Sequence, residues 1–575
     1  MKLYSILFGL ILIFCISAGV GRQAGAPKFG VNGKPLCRTV GVTHTGASYT
    51  MDSRVDCLQE GAGRILDMGS EVIKLWFADT TVMKYCYPYN IRWNELGIAD
   101  AVDLARCEYF ARVFDMGFST YILETSTFDF SRPDVNVVWQ DGMTPEECSR
   151  VEREMYDLAS YLMTRYNGTG KEFVLQNWEG DNMLEGIQWR YDNVSGLYYK
   201  AEKGAASACE ADDRELRVRI EGLTDWFNCR QRGVDRARAE LQGKTDVLVR
   251  NALEVSFVYL DSQDDGWPFT DTPILIDHVI GYTDCDLYSY SSWATHTVKR
   301  AQDLKAKLEI IGQRLGDTYI DIYDRNSVKP RRPYLRKGQV SRLMLGEYGS
   351  IEGMQYADTL LWGRGFTDET NRRHRTVLQI QTDIAQAMGL EYVVFWQLYC
   401  NVYRGDILTD VVDMVKGDQI QKNEHLQGNW LIRVDGTCTE GYKYLRGLCR
   451  PVEALYPAAR YSRNRMYSIG SENGGFEIST TQTADFVPVN LTDRGDYNGN
   501  VRIYGSEDGK RFMPVETECF FTDYRISGET VDVDVIYIDK ERPRSAYRYF
   551  RIETSDNTEV NGVKFYKPVP TIAKR

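Results

Sequence analysis

The sequence predicts an α/β chain, a (β/α)8 TIM barrel followed by an all-β sandwich, and three observations predict it. Apolar runs of strand length alternate with segments of helical period eight times between residues 38 and 455. Two of those runs, far apart in sequence, deliver a glutamate at their C-terminal ends, where a parallel barrel keeps its chemistry. From about residue 460 the texture changes to short strands alternating at period two between Asp-Gly, Asn-Gly and other glycine-containing turns. The expected organisation is a leader at 1–26, the barrel at 27–459 and the sandwich at 460–575.

Each element has its own signal. The first strand is expected at 38–42, ending in Thr43 and His44, and the helical pattern over 51–68 stops at Gly69, a residue suited to a left-handed C-cap. A strand at 72–77 leads through a Tyr-rich loop to a helix at 98–116, closed by Gly117, and the third strand is 119–124. Thr144-Pro145-Glu146-Glu147 opens the next helix: Thr caps it, Pro suits its first turn, and the acids sit at the positive end of the dipole. That helix reaches Tyr166, and Asn167-Gly168-Thr169-Gly170 breaks it before the fourth strand, Phe173-Val174-Leu175-Gln176. Residues 186–215 fit no simple period and are expected to loop over the mouth of that strand. A helix at 223–241, a fifth strand at 253–260, a sixth at 286–293 and a basic helix at 298–315 follow. The seventh strand ends at Glu347, a helix over 369–388 stops at Gly389, the eighth strand is 391–397, and the last helix is 440–455. Sandwich strands are expected at 476–479, 501–506, 531–538 and 547–554.

Composition bounds the partners. A formal net charge of −12 would be repelled by nucleic acid and by anionic membrane surfaces. Hydrophobic residues at 43% and aromatics at 12% supply large cores and aromatic-lined clefts. Lys2, an apolar run over 6–16 and small residues up to Ala26 have the pattern of a secretory signal peptide, so a secreted mature chain with no membrane span is expected. Cleavage would remove Cys15 and leave twelve of thirteen cysteines, an even number that suits disulfide formation in an oxidising compartment, with the pairing left open. The cysteines form no CxxC pair and the five histidines no HxH or HExxH spacing, so neither a metal nor another cofactor is expected. Asn167, Asn193 and Asn490 begin glycosylation sequons, which matter if the source is a eukaryote. The oligomeric state is not set by the sequence.

The candidate chemistry lies in Asn177-Trp178-Glu179-Gly180 after the fourth strand and in Gly346-Glu347-Tyr348 on the seventh. Hydrolysis of a glycosidic bond needs a proton donor at the leaving oxygen and a carboxylate at the anomeric carbon, and in the retaining geometry their carboxyls stand about 5 to 5.5 Å apart. At that distance the nucleophile's charge strengthens its partner's hold on a proton. Asn177, two positions before Glu179, is expected on the same inward face. His44, at the end of the first strand, is a candidate to line the subsite. Asp181 and Asn182 either bind substrate or turn the chain. Each of these also has a purely structural reading as a rim salt bridge, core packing or turn.

With glutamates after strands four and seven and Trp396 ending strand eight, the region from about 36 to 457 resembles the clan A glycoside hydrolases, retaining (β/α)8 enzymes. The resemblance implies a carbohydrate substrate, Glu179 as acid/base, Glu347 as nucleophile and Trp396 as the platform beneath the sugar. It also implies an aromatic on strand six bonded to the nucleophile, Tyr290, with Tyr288 of the same parity in competition. One departure is visible: that clan usually sets Asn directly before the acid/base, to bind the sugar 2-hydroxyl, and here Trp178 stands there with Asn177 one position further back. Trp178 and Asn177 are accordingly candidate substrate contacts.

In the C-terminal part, Val501-Arg-Ile-Tyr-Gly-Ser-Glu-Asp-Gly-Lys-Arg-Phe-Met-Pro-Val and Tyr547-Arg-Tyr-Phe-Arg-Ile resemble a discoidin-like module, the coagulation-factor C-type sandwich found in carbohydrate-binding domains. Bracing of the barrel is the structural alternative. For the whole chain the leading expectation is a secreted retaining glycoside hydrolase acting on a β-linked poly- or oligosaccharide. The alternative is a catalytically inactive carbohydrate-binding or cell-surface protein on the same scaffold. A carboxyl separation beyond about 6.5 Å would instead favour an inverting hydrolase.

Overall fold

A computed structural model describes residues 30, 33–45, 48–90, 92–126, 139, 141–184, 189–192, 197–200, 213–260, 274–321, 327–332, 339–354, 366–402 and 419–449, and beyond them 475–479, 486–493, 501–515, 517–527, 530–539, 549–554 and 558–563. The expected leader and Asn193 lie outside these residues. The chain divides at Arg450 and Pro451 into two compact units.

In the first unit eight parallel strands close into a barrel: β1 (Val40–His44), β2 (Val72–Phe77), β3 (Thr120–Thr125), β4 (Glu172–Gln176), β5 (Leu248–Val255), β6 (Leu287–Ser291), β7 (Leu343–Gly349) and β8 (Val393–Trp396). Their order around the barrel is their order in the chain, and β8 pairs with β1. Side chains alternate between two environments. Val72, Ile122, Val174, Ala252, Leu287, Met344 and Val394, with Tyr392, form an apolar belt inside the barrel. Their neighbours Ile73, Leu75, Leu123, Phe173, Leu175, Leu253 and Val255 belong to the larger core that includes the helix layer. Both faces are therefore buried, which is why most strands are near-continuous apolar runs.

Helix boundaries follow their capping residues. Asp56 accepts from the Gln59 amide to start the helix Cys57–Met68, and Gly69 ends it at φ +103°. Thr144 and Glu147 complete a capping box, with Pro145 in the first turn, on the helix Pro145–Arg165. The expected helix at 98–116 is two helices, Ala101–Arg106 and Glu108–Phe114, parted at Cys107, whose backbone is extended (φ −59°, ψ 151°).

Two differences from the sequence reading have physical causes. The fifth strand is Leu248–Val255, not 253–260. Its first half carries Arg250 and Asn251, which disguise it, but Arg250 lies inside the barrel floor, where its Nε donates to Glu172 at 2.6 Å and one terminal nitrogen to Gln339 at 2.9 Å. Lys34 and Glu391 add a buried pair at 2.8 Å. Paired charges are tolerated where lone ones are not. Second, the aperiodic stretch after β4 contains an antiparallel hairpin, Trp189–Asp192 with Leu197–Lys200. Aromatic residues favour these strands, and Asn193-Val-Ser-Gly between them is too short to show a period of its own.

The second unit holds two four-stranded antiparallel sheets. One orders Gly475–Ser479, Tyr549–Thr554, Val501–Ser506 and Met513–Pro514; the other Thr517–Ser527, Thr530–Asp539, Phe486–Asp493 and Thr558–Val563. Ile503, Phe550 and Ile552 are buried, and Ser506 and Asp508 organise the turn at Gly509 (φ +73°).

None of the ten cysteines whose side chains are described is bridged; Cys57, Cys86, Cys229, Cys285 and Cys400 are buried thiols whose titration burial pushes upward. The expected disulfides are therefore absent among these ten. No described helix is long and apolar enough to cross a membrane.

Candidate active site

Glu347 faces the barrel interior because of an irregularity in β7. Met344 points inward, so strict alternation would turn Glu347 outward. Between Met344 and Glu347 the pairing with β6 advances three residues on β7 against two on β6, from Ser289 to Ser291. The extra residue re-aims the chain, a use typical of bulges near sites. Gly346 makes this possible: a Cβ there would collide with Ser289 Oγ and stand 2.6 Å from Glu254 Oε2. Gly346→Ala is therefore expected to destabilise the barrel by about 1–3 kcal/mol. Thermal unfolding checks this, and an unchanged melting temperature would contradict it.

Glu179 comes from the turn after β4, directly before a short helix, Gly180–Leu184. The Ser291 hydroxyl at the end of β6 lies 2.8 Å from Glu179 Oε1 and 2.7 Å from Glu347 Oε2. These two oxygens cannot be further apart than the sum of those lengths, which falls within the retaining range of about 5 to 5.5 Å and short of the inverting range from about 6.5 Å. Trp293 Nε1 donates to Glu347 Oε2 at 3.2 Å, and the Asn182 side-chain amide donates to Glu179 Oε2.

Beside this pair lies a buried cation. Lys74 Nζ, from β2, is 3.0 Å from Glu124 on β3, 3.4 Å from Glu347 Oε1 and 3.8 Å from Glu254 on β5. Burial alone would strip its proton, but the three carboxylates outweigh burial and bind it more tightly. Glu179 is raised to about 8, first by burial and then by the facing Glu347 charge. Burial raises Glu254 to about 7, with Lys74 opposing, and raises Glu124 strongly. The site thus holds a carboxyl that keeps its proton through neutral pH, facing a second carboxyl that has an ammonium 3.4 Å away. That division of roles is what acid-assisted displacement needs.

Several residues singled out from sequence stand elsewhere. Tyr290 and Tyr288 have outward parity on β6 and join the core around the barrel, so neither bonds Glu347; Ser291 and Trp293 hold that position. His44 also faces outward, its Nε2 2.6 Å from the Cys57 carbonyl oxygen, its ring against Gly61, and it does not line a subsite. Asn177 does not share Glu179's direction, because β4 ends at Gln176 and alternation ends with it. Its oxygen accepts from the Glu254 amide at 2.7 Å and its nitrogen donates to the Glu254 carbonyl at 3.3 Å, so it staples β4 to β5 and has left the hydroxyl-binding role. Asp181 accepts the amides of Ser256, Phe257 and Leu275, which makes it a structural clasp.

The two tryptophan candidates each stand beside an inward residue of β2. Trp178 is half-buried and its ring centre is 6.4 Å from that of Trp76 on β2. Trp396, 9% exposed, places its ring 6.0 Å from Lys74 Nζ, and the Trp396-Gln397 peptide bond is cis. Lys74, Glu124, Glu254, Ser291, Trp293 and Trp76 went unnoticed in the sequence. The available signal was parity: Lys74 and Trp76 share the inward face of Val72, and Glu124 that of Ile122. Among the described residues no three His, Cys, Asp or Glu side chains are set to hold a metal ion.

Fold and site together define an eight-stranded parallel α/β barrel with paired carboxyls at its C-terminal mouth. No family model matches the sequence, and no curated protein matches it. Among solved structures the chain is similar to a GH5-4 broad specificity endoglucanase from Clostridium longisporum, at 10% identity and a TM-score of 0.35, over 73% of this chain and 97% of that one. It is similar to the catalytic domain of the major endoglucanase from Xanthomonas campestris pv. campestris, at 12% identity and 0.35, over 75% and 99%. A stretch is similar to CBM32-1 from a family 31 glycoside hydrolase of Clostridium perfringens, at 22% identity and 0.13, over 17% and 72%. Likenesses this distant carry no functional inference.

Proposed function

We propose that the protein is a secreted retaining glycoside hydrolase that cleaves β-linked bonds in a poly- or oligosaccharide. The observation that carries this reading is the single hydroxyl of Ser291 shared by Glu179 and Glu347. In the first step a Glu347 oxygen attacks the anomeric carbon as the glycosidic C–O bond breaks, and Glu179 gives its proton to the departing oxygen. A glycosyl ester on Glu347 and the free aglycone result. In the second step Glu179, now a carboxylate, takes a proton from water as that water displaces Glu347, restoring both groups. Ser291 and Trp293 orient the nucleophile, and Lys74 supplies the nearby positive charge.

A depolymerisation screen across β-glycans, with proton NMR of the first sugar released, tests this reading. Products of retained β-configuration support it, while an α-anomer formed first excludes double displacement. Trp396→Ala is expected to lower kcat/KM by about tenfold to a hundredfold, the worth of about 1.5–3 kcal/mol of lost apolar contact. Steady-state kinetics check this, and an unaltered kcat/KM would remove Trp396 from the sugar site.

The withdrawal of Asn177 favours a second reading, carbohydrate binding without turnover. Binding in a glycan array with no product in the screen would support it. For the C-terminal unit we propose a discoidin-like, glycan-binding role, resting on the Ser506-Glu507-Asp508-Gly509 turn and the strand Tyr549–Thr554. Retention of the isolated second unit on polysaccharide checks it.

A further inference from the structure

Glu254 is a carboxyl that neither the fold nor the proposed chemistry requires. It is fully buried on β5, where a carboxylate is expensive to place. Yet four strands serve it. Gln176 Nε2 from β4 and Ser289 Oγ from β6 each donate to its Oε2 at 2.7 Å, Lys74 from β2 lies 3.8 Å from its Oε1, and β7 leaves room for it with Gly346. The backbone amide of Glu179 also faces its side chain and favours its ionised form. Asn177, two residues before Glu179, holds the backbone of Glu254 by both its amide and its carbonyl. The end of β4 thus holds Glu254 at two points, its carboxyl through Gln176 and its backbone through Asn177.

We propose that Glu254 is a positioning residue for the acid/base, holding the end of β4 from which Glu179 projects and acting on Glu179 through its own charge. This rests on the reading of Glu179 as acid/base. The charged groups around Glu254 are Lys74 from β2, Glu124 from β3, Glu179 after β4 and Glu347 from β7. β1 and β8 present Thr43 and Trp396 at this end, neither charged. Lys74 is shared among three carboxylates, so it cannot cancel Glu254 alone. When Glu254 is ionised, its negative charge therefore favours the protonated form of Glu179.

Two substitutions separate the charge from the grip. Glu254→Gln keeps the shape and one acceptor for Gln176 but removes the charge. The alkaline limb of the kcat/KM profile, which Glu179 sets, is expected to move down by about half a unit to one unit, with kcat at the optimum within a few-fold of wild type. Glu254→Ala removes both, and kcat is expected to fall by about tenfold to a hundredfold with KM little changed. A merely structural carboxyl would lower the melting temperature of both variants and leave the limb where it is. An unmoved limb in Glu254→Gln, with Glu179→Ala inactive in the same assay, overturns the proposal alone. Full activity in Glu179→Ala would instead overturn the hydrolase reading and this one with it.

Discussion

Glu347→Ala is expected to lower turnover by roughly four orders of magnitude or more while the protein remains folded. The large loss follows from the role: with no carboxylate at the anomeric carbon, the covalent step has no nucleophile. Retention of the fold follows from the surroundings. Lys74 keeps the carboxyls of Glu124 at 3.0 Å and Glu254 at 3.8 Å, so truncation does not leave a buried ammonium without acceptors. Small anions such as azide are expected to restore part of the activity and to yield a glycosyl azide of inverted configuration. Steady-state kinetics, circular dichroism and product analysis check these points together. Turnover above a hundredth of wild type in a folded variant would remove Glu347 from the chemistry.

The second large effect is on proton delivery. Glu179→Ala is expected to lower kcat on natural glycans by about 10²–10⁴-fold. On an aryl glycoside with an acidic phenol as leaving group the loss in the first step should be far smaller, because that departure needs little protonation. The wild-type pH profile carries the same signature. A general acid works while protonated, and Glu179 is held near 8 by burial and by Glu347 across from it. Its usable form is complete at lower pH and is lost as pH rises through about 8, so activity should fall along that limb. In Glu179→Ala the alkaline limb should disappear. Equal losses on natural and activated substrates, or an alkaline limb that survives the substitution, would assign the proton to another group.

Much of the barrel was legible because its strands are buried on both faces and its helices end at glycines and caps such as Gly69 and Thr144. What was not legible shares one cause. Interior charges broke the apolar signal of β5, so Arg250 hid the start of that strand and Glu254 passed unnoticed within it. Parity gave the inward set where a strand is regular, as with Lys74, and failed where it is not. The bulge at Gly346 turns Glu347 inward against strict alternation, and the end of β4 at Gln176 releases Asn177 into a contact with β5. Glu179 and Glu347 could be found without parity, because strand-end carboxyls at a barrel mouth are informative by position alone. Their serine, tryptophan and lysine partners come from other strands, and only the closed barrel brings them together.

The central claim, that Glu347 bonds covalently to the sugar while Glu179 moves the proton, is open to one direct measurement. The protein is incubated with an activated 2-deoxy-2-fluoro-β-glycoside of the sugar identified in the screen, and the product is analysed by intact mass and peptide mapping. The geometry predicts a single glycosyl adduct on Glu347, and an adduct on another carboxyl, or hydrolysis with inversion and no adduct, would contradict it.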